Sequence, residues 1–294
     1  YCGSNEAAAS YWTVQTQKRN LNGYGLLTFH VNETTDLFAD LAVGSARITN
    51  NTRAPTWTSA RNYFYNQTTG NLESWYRRFA PEEIGGLPRN ANRFLENSWS
   101  FNVGARGQIG DSGWDYEAVY SRSRYENRTR RPVLLAGINE YLLGPKLGVR
   151  NGVEVYAPDP ARLFKPLTPD EYEGLSDYQE SRNAAWLQTF SASVNGRLFA
   201  LPGGDAALAA VVEAGSQGYR NRPDPRLGTG EFWNTSAGIG AGGERDRYAV
   251  GVELQLPLLQ SLTTTLAGRY DQYRAGGEHI GKATWSFGVE FRPI

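Results

Sequence analysis

The sequence has little of what catalytic and metal-binding proteins use. Its 294 residues include no methionine, one cysteine (Cys2) and two histidines, His30 and His279, which lie far apart in the chain. A single cysteine cannot form an intrachain disulfide, and no histidines or cysteines have the spacing of a zinc site. We therefore expect no metal site, no cofactor and no enzymatic activity. The absence of methionine and a first residue of Tyr1 predict a processed or partial chain.

The charge balance and the hydrophobic runs exclude further classes. Lys and Arg together number 30, as do Asp and Glu, so the formal net charge is zero. A nucleic-acid partner held by a basic surface is therefore not expected. No stretch reaches the roughly 18 apolar residues that a membrane-spanning helix needs. A membrane β-barrel is not excluded by this criterion, because its strands are apolar on one face only.

Two motifs that resemble ligand sites fail in their context. Gly238–Gly243 spells the dinucleotide motif G-x-G-x-x-G, but a loop precedes it and a strand pattern follows it, the reverse of what that fold needs. The acidic residues between 159 and 173 do not have the spacing of a calcium loop. They predict a solvated, turn-rich loop with short helical turns. A Ser-His-Asp triad has no nucleophile elbow to support it.

What the sequence does have is a β-rich composition with strict alternation. Aromatic residues make up 13%, with 17 Tyr and 8 Trp, and there are 33 Gly. Between Tyr248 and Leu256, for example, apolar residues alternate with Ala249, Gly251, Glu253 and Gln255. Such alternation predicts about nine half-apolar strands. They lie near residues 21–31, 37–44, 99–109, 114–121, 189–198, 208–215, 248–256, 262–271 and 282–292.

The connections between these strands alternate in length. Short turns are predicted near residues 32–35, 110–113, 201–205 and 257–260. Longer loops are predicted near residues 50–97, 130–182, 219–245 and 274–281. Short turns at one end and long loops at the other are typical of an outer-membrane barrel, whereas a soluble sandwich has no reason to keep this asymmetry.

The two faces of the strands support the same fold class. Aromatic residues near strand ends would lie at the level of lipid headgroups. They are Trp99, Trp114, Tyr116, Trp186, Tyr248, Tyr270 and Trp285. Mixed charges on the other face predict a hydrated or plugged lumen. These predicted lumen residues are Arg106, Glu117, Arg197, Glu213, Glu253, Arg269, Asp271, Glu290 and Arg292.

The fold class that follows is all-β: part of an antiparallel transmembrane β-barrel. Nine strands leave two open edges, which lipid does not tolerate, so further strands are expected before residue 1 and after residue 294. Alternation alone does not exclude a soluble sandwich. The discriminating observation is whether Val250, Leu254, Leu266 and Phe287 face a dry core.

The long loops are rich in aromatic and arginine side chains. Such groups together can stack on and hydrogen-bond sugars, peptides or metal chelates, or can pack the loops on one another. Both interpretations stay open. The candidate ligand-binding residues are Trp57, Tyr63, Tyr65, Trp75, Tyr76, Arg77 and Arg78 in the first loop, and Tyr219, Arg220, Phe232 and Trp233 around the third.

Four segments together point to a family. Gly196–Gly204 reads G-R-L-F-A-L-P-G-G and resembles a hairpin turn of TonB-dependent outer-membrane receptors. Arg269–Tyr273 (R-Y-D-Q-Y) and Phe287–Pro293 (F-G-V-E-F-R-P) resemble later strands of the same barrels, and Leu37–Leu41 resembles an earlier one. The pattern covers most of the chain, while these specific motifs cover about a quarter of it.

The resemblance implies a function and partners. A complete receptor has a barrel of about 22 strands, plugged by an N-terminal domain that contacts the TonB energy-transducing complex. By this resemblance, residues 1–294 are the central part of the barrel, without the plug and the C-terminal strands. The expected partners are outer-membrane lipid, the plug, the remaining strands and a nutrient: an iron-siderophore, glycan, peptide or cobalamin-like chelate. Alternatives are a passive porin or adhesin barrel, and a secreted all-β protein that binds or hydrolyses carbohydrate.

Overall fold

The computed structural model describes residues 11–59 and 63–293, and Cys2 lies outside them. Alternating sequences form strands throughout, and the few short helices lie in connections. In chain order the strands are β1 (Gln17–Asn32), β2 (Thr35–Asn50), β3 (Thr56–Thr58), β4 (Phe64–Asn66), β5 (Asn71–Glu73), β6 (Tyr76–Arg78), β7 (Asn92–Gln108), β8 (Trp114–Leu134), β9 (Gly148–Arg150), β10 (Val153–Tyr156), β11 (Ser176–Leu201), β12 (Gly204–Arg222), β13 (Ala241–Leu259), β14 (Leu262–Ala275) and β15 (Glu278–Phe291). The helices are α1 (Gly137–Leu143), α2 (Pro160–Phe164), α3 (Pro169–Gly174) and a 3₁₀ turn at Leu87–Asn90.

Nine long strands form one antiparallel sheet, as the alternation predicts. Their order is β1-β2-β7-β8-β11-β12-β13-β14-β15, so every strand lies beside its neighbours in the sequence of long strands. Within the described residues, β1 and β15 are each paired on one side only. The prediction of part of an antiparallel barrel is confirmed in architecture. Among these residues, no helix is long and apolar enough to cross a membrane.

The register aligns one apolar face and one polar face across the whole sheet. Directly paired residues share a face, so Phe190 on β11 faces the same way as Ala214 on β12, and Ala214 the same way as Tyr248 on β13. Val250, Leu266 and Phe287 on the apolar face are 46%, 43% and 59% exposed, and Leu254 on the same face is half-buried. A sandwich would bury these side chains in a dry core. The discriminating observation therefore favours the barrel.

The turns at one end are short, as predicted, but one predicted loop is wrong. Glu33–Thr34, Pro202–Gly203 and Gln260–Ser261 connect strands at the short-turn end. The connection predicted as a longer loop near residues 274–281 is instead a tight turn at Gly276–Gly277. Both glycines have positive φ, +58° and +87°. This is the geometry of a two-residue hairpin turn, in which glycine needs no extra residues to reverse the chain.

Tryptophans on the apolar face lie over glycines of the next strand. A Cβ added to Gly196 would come within 2.4 Å of the Trp114 ring, and one added to Gly218 would come equally close to the Trp186 ring. Both glycines are directly cross-strand neighbours of the residues that pack on them. Glycine at these places lets the indole lie flat along the sheet, which fixes the strand register.

The three long loops fold together rather than lying apart in solvent. β4 of the first loop pairs in parallel with β10 of the second, and Leu135 beside the second loop bridges to Phe232 of the third. The acidic part of the second loop has the predicted short helical turns and exposes Asp159, Asp170 and Glu173, but another part of the same loop is buried. Its helix α1 buries Ile138, Leu142 and Leu143, because apolar residues on one side of the helix pack into the shared loop core.

Candidate functional site

We call the joined long loops the loop cap, defined as residues 51–59, 63–91, 135–175 and 223–240. Its core is as well buried as that of a small domain: Trp57, Phe64, Phe79 and Ile138 are all 0% exposed. Phe64 makes edge contacts with two rings, Trp75 at 5.5 Å and Tyr156 at 6.0 Å. Aromatic pairs of this kind add to the area that they bury. The cap therefore has its own hydrophobic core at the long-loop end of the sheet.

A buried ion pair lies inside this core. Arg77 and Glu83 have side chains only 6% and 9% exposed, and an Arg77 Nη2 hydrogen bond joins them. Arg77 also donates to the carbonyls of Arg162 (3.1 Å) and Lys165 (2.7 Å) in the second loop. The Glu83 carboxylate accepts from the amide of Leu167 at 2.9 Å. The pair thus satisfies buried polar groups of both loops at once.

A second charged cluster ties the third loop to the sheet. Arg226 donates to both carboxylate oxygens of Asp224 at 3.0 Å, to Asp177 at 2.6 Å and to the carbonyl of Tyr178 at 2.8 Å. Its guanidinium lies 4.4 Å from the Phe232 ring centre. Asp224 also accepts from the backbone amides of Glu180 and Arg226. These donors, Arg226 first, lower the pKa of Asp224 to about 2.

Replacement of Asp224 by asparagine is expected to loosen the third loop. The folded-state pKa of about 2 lies below the ordinary value of 3.8, so the carboxylate stabilises the fold fully above about pH 4 and loses this effect as the pH falls through 2. The shift corresponds to about 2 kcal/mol, or roughly 30-fold in local opening. Amide hydrogen exchange of residues 223–233 in the intact receptor at pH 7 measures this local opening.

The control for that measurement is Asp205→Asn. Asp205 pairs with Arg197 at 3.3 Å, but both side chains are largely exposed, so its loss should change exchange of nearby amides less than about threefold. Equal exchange of the third loop in wild type and Asp224→Asn would contradict the assigned role. So would a wild-type loop that keeps its protection when the receptor is brought from pH 4 to pH 2.

The candidate ligand-binding residues divide by exposure. Trp57, Arg77 and Phe232 are buried, so they build the cap and do not reach its surface. Four residues are half-buried: Tyr65, Trp75, Arg78 and Trp233. Four residues are exposed: Tyr63, Tyr76, Tyr219 and Arg220.

The half-buried residues also serve the packing of the loops. Trp233 donates through Nε1 to the carbonyl of Thr58 at 3.1 Å, and Trp75 donates to Glu73 at 2.9 Å. Tyr65 lies under the guanidinium of Arg150, 4.3 Å from the ring centre. The structure therefore assigns much of the aromatic and arginine content of the loops to holding them together. Only part of the predicted set is available to contact a ligand.

Tyr219 and Arg220 are neighbours in sequence that face opposite ways. Tyr219 lies on the polar face and pairs with Ala185, while Arg220 lies on the apolar face and pairs with Ala184. The structure therefore does not bring them together, because alternate residues of a strand point to opposite sides of the sheet.

The polar face holds a large cavity in the half of the sheet toward the long loops. Its volume is about 1220 Å³, and residues from eight of the nine long strands, β1 to β14, line it. One cavity touching so many strands shows that the sheet curves around its polar face. Besides Tyr219, its lining includes Tyr24, Tyr125, Gln217 and Arg245.

The sequence prediction missed these four cavity residues. The signal that could have found them is position: each is a large polar or aromatic side chain on the polar side of a strand, in the half toward the long loops. The interpretation of the sequence concentrated on loops and on charged pairs. The sequence interpretation did not compare how far along each strand, toward the long loops, the polar-face residues lie.

The predicted lumen residues share the polar face. The register places Arg106 opposite Glu117, and Asp271 in line with Glu213 through Ala249. By the same alternation, four more of the predicted residues lie on this face: Arg197, Glu253, Arg269 and Glu290. The last one, Arg292, follows the end of β15. Contact of these residues with a plug stays a prediction.

Four of the polar-face charges form a closed network across three strands. Arg247 Nη2 lies 3.0 Å from Glu213 and 3.0 Å from Asp271. Arg269 contacts Glu213 and donates through Nε to Asp271 at 2.8 Å. Two arginines and two carboxylates thus neutralise one another on the barrel wall. In the described part of the chain, no group of three or more His, Cys, Asp or Glu side chains could hold a metal ion.

Comparison with known families decides the identity. The profile of the family described as "TonB dependent receptor-like, beta-barrel" matches residues 9–294. The chain belongs to the TonB-dependent receptor β-barrel family. Barrels of this family reside in the outer membrane. The resemblance seen in the four sequence segments is confirmed.

A solved structure shares the fold of this chain. "Structure of the FpvAI-pyocin S2 complex" contains a chain similar at a TM-score of 0.55 and 10% identity, over 94% of this chain and 34% of that one. The translocator domain of the autotransporter NalP from Neisseria meningitidis gives a TM-score of 0.31 at 12% identity, over 96% of this chain and 73% of that one. This chain therefore spans about a third of the first structure's length. None of the curated proteins compared with it matches.

Proposed function

We propose that this chain is the barrel segment of an outer-membrane active transporter, in which the cavity of the polar face and the exposed surface of the loop cap bind a scarce nutrient. The observation that carries the proposal is the combination of a folded loop cap and a cavity of about 1220 Å³ in the same half of the sheet. The cavity exceeds the size of typical pockets for drug-sized ligands, so it suits a chelate or an oligomer.

The chemistry of the cavity narrows the nutrient class. Tyr24, Tyr125 and Tyr219 offer flat rings and hydroxyl groups, while Gln217 and Arg245 offer hydrogen-bond donors. Rings stack on sugars and planar chelates, and an arginine beside them favours a ligand with carboxylate or hydroxamate-type oxygens. We infer an oxygen-rich polar nutrient, such as a ferric siderophore or a glycan fragment. Transport inward would require a plug and energy from the TonB complex.

The test is uptake by cells that carry the intact receptor as their sole route for the nutrient. Cells are supplied with ⁵⁵Fe-loaded siderophores or labelled oligosaccharides, and uptake is compared with and without a functional TonB gene. Active transport predicts saturable uptake that falls to background without TonB. A passive porin predicts uptake that is linear in concentration and independent of TonB, and that result would overturn the proposal.

A pair of variants tests whether the cavity is the binding site. Tyr125→Ala and Tyr219→Ala are expected to weaken binding of the transported nutrient about tenfold or more, because central aromatic contacts dominate binding energies. Tyr248→Ala is the matched control, since this tyrosine lies on the opposite, apolar face. Unchanged affinity in both cavity variants, at equal levels of assembled receptor, would place the binding site elsewhere.

A further inference from the structure

The apolar face carries a basic patch that begins around Trp99 and Trp186 and extends from them toward the long loops. Arg124 is level with both tryptophans, and Arg122 lies two residues nearer the short turns. We call this basic patch the outer arginine patch, and it surrounds a surface cavity of about 560 Å³. Its arginines are Arg122, Arg124, Arg128, Arg182, Arg220 and Arg222. Arg128 pairs directly with Arg182, and Arg182 pairs directly with Arg222, so three arginines stand side by side on β8, β11 and β12. Like charges directly opposite one another destabilise a sheet unless something neutralises them.

Carboxylates of the chain neutralise only part of this patch. Glu180 contacts Arg128 and lies 2.8 Å from Arg182, and Glu126 lies 2.8 Å from Arg124. Within residues 11–59 and 63–293, no carboxylate lies within 4 Å of Arg122, Arg220 or Arg222. The patch therefore keeps a surplus of positive charge on exposed side chains.

Two of these arginines lie against the tryptophans that end the apolar face. The guanidinium of Arg122 is 5.9 Å from the Trp99 ring centre, and that of Arg220 is 6.0 Å from the Trp186 ring centre. Tryptophans at the edge of a barrel's apolar band lie at headgroup level. Arg182 is four residues beyond Trp186, or about 13 Å along the strand. The patch thus lies where the phosphates of an outer-leaflet lipid would be.

We propose that the outer arginine patch binds the phosphorylated headgroup of a lipid in the outer leaflet, with the acyl chains lying on the apolar face below it. Arginine forms two parallel hydrogen bonds to phosphate, and neighbouring arginines can share one phosphate group. The continuity of the patch with Trp186, Phe190 and Phe101 favours a lipid over free phosphate, which has no apolar part to pack there. The proposal shares with the proposed function only the membrane location and does not depend on the nutrient.

The test uses the intact receptor, purified in detergent and freed of lipid, with diphosphoryl lipid A as the probe. Native mass spectrometry measures the fraction of receptor that retains one lipid as its concentration rises. The triple variant Arg122→Gln, Arg220→Gln, Arg222→Gln is expected to raise the Kd at least tenfold. Monophosphoryl lipid A should bind wild type less tightly than the diphosphoryl form. Arg274→Gln is the matched control.

Arg274 suits this role because it lies on the same face and over an aromatic ring, Tyr248, at 5.2 Å. It differs in that its direct cross-strand neighbours are Asp246 and His279, so it does not stand in a row of arginines. The Kd of the Arg274→Gln receptor for diphosphoryl lipid A should stay within twofold of the wild-type value. If the triple variant fails to assemble, the single variants Arg220→Gln and Arg222→Gln are measured, each with an expected loss of about threefold. Wild-type affinity in these variants, an equal loss in Arg274→Gln, or full displacement of lipid A by inorganic phosphate would overturn the proposal.

Discussion

Replacement of Arg77 by leucine is expected to open the loop cap in the intact receptor. The variant leaves Glu83 charged and buried, and it leaves the carbonyls of Arg162 and Lys165 without their donor. Removing one partner of a buried ion pair costs about 3–5 kcal/mol. The local opening constant of the cap should therefore rise at least 100-fold. Hydrogen exchange of residues 77–91 and 160–168 measures this opening, and trypsin should cut after Arg162 much faster.

Arg89→Leu is the matched control for this prediction. Arg89 also links the first and second long loops, through Glu173 at 2.9 Å, but the two side chains are 49% and 66% exposed. Solvent-exposed pairs contribute about 0–1 kcal/mol, so exchange should rise less than about fivefold. Similar exchange in Arg77→Leu and Arg89→Leu would show that the cap does not depend on the buried pair. The nutrient-binding surface should be lost only in Arg77→Leu.

The strands were predictable because their physical signal is local. Side chains of a strand alternate between two faces, and a curved sheet with one apolar face repeats that alternation in every strand. The nine predicted strands and the shared face of Glu213 and Asp271 follow from this rule alone. The strand lengths were less predictable. β8 continues as far as Leu134 and β11 already begins at Ser176, so both strands extend past the apolar band. Beyond that band both faces are polar, so the alternation of apolar and polar residues fades although pairing continues.

The loop cap could not be predicted, because it depends on contacts between segments far apart in sequence. Trp233 bonds to Thr58 across 175 positions, and β4 pairs with β10. The aromatic and arginine residues of the loops are compatible with a ligand surface and with a packed core. The structure places Trp57 and Phe232 in the core and leaves Tyr63 and Tyr76 exposed. Only three-dimensional packing separates these two uses of the same residue types.

The missed turn at Gly276–Gly277 has a more specific cause. The length alternation of the other connections predicted a loop there, although consecutive glycines are a strong signal for a two-residue hairpin. At this position the two consecutive glycines indicated the correct turn, and the alternation of long and short connections indicated the wrong one. The three connections that do fold into the cap carry buried aromatic residues, which the glycine turn does not.

An arginine placed on the apolar face should prevent assembly of the barrel, whereas an arginine one residue further along should not. Val252 lies on the apolar face near the middle of β13 and is 45% exposed, and Glu253 lies beside it on the polar face. Arginine on the lipid side at the membrane midplane costs about 2–4 kcal/mol. Val252→Arg should therefore lower the folded fraction at equilibrium by about 30-fold or more. Glu253→Arg should assemble like wild type.

The measurement is the amount of folded, heat-modifiable receptor in isolated outer membranes, compared at equal synthesis levels. The two variants introduce the same side chain at adjacent positions on opposite faces of the sheet. Glu253→Arg makes the larger change in charge, so a simple effect of charge would predict the opposite order of the two variants. A soluble protein with a dry core under Val252 would also fail to fold when Val252 is replaced by arginine. Its wild type, however, would be recovered in the soluble fraction and not in the outer membrane. Normal assembly of Val252→Arg, or loss of Glu253→Arg alone, would reverse the assignment of the two faces.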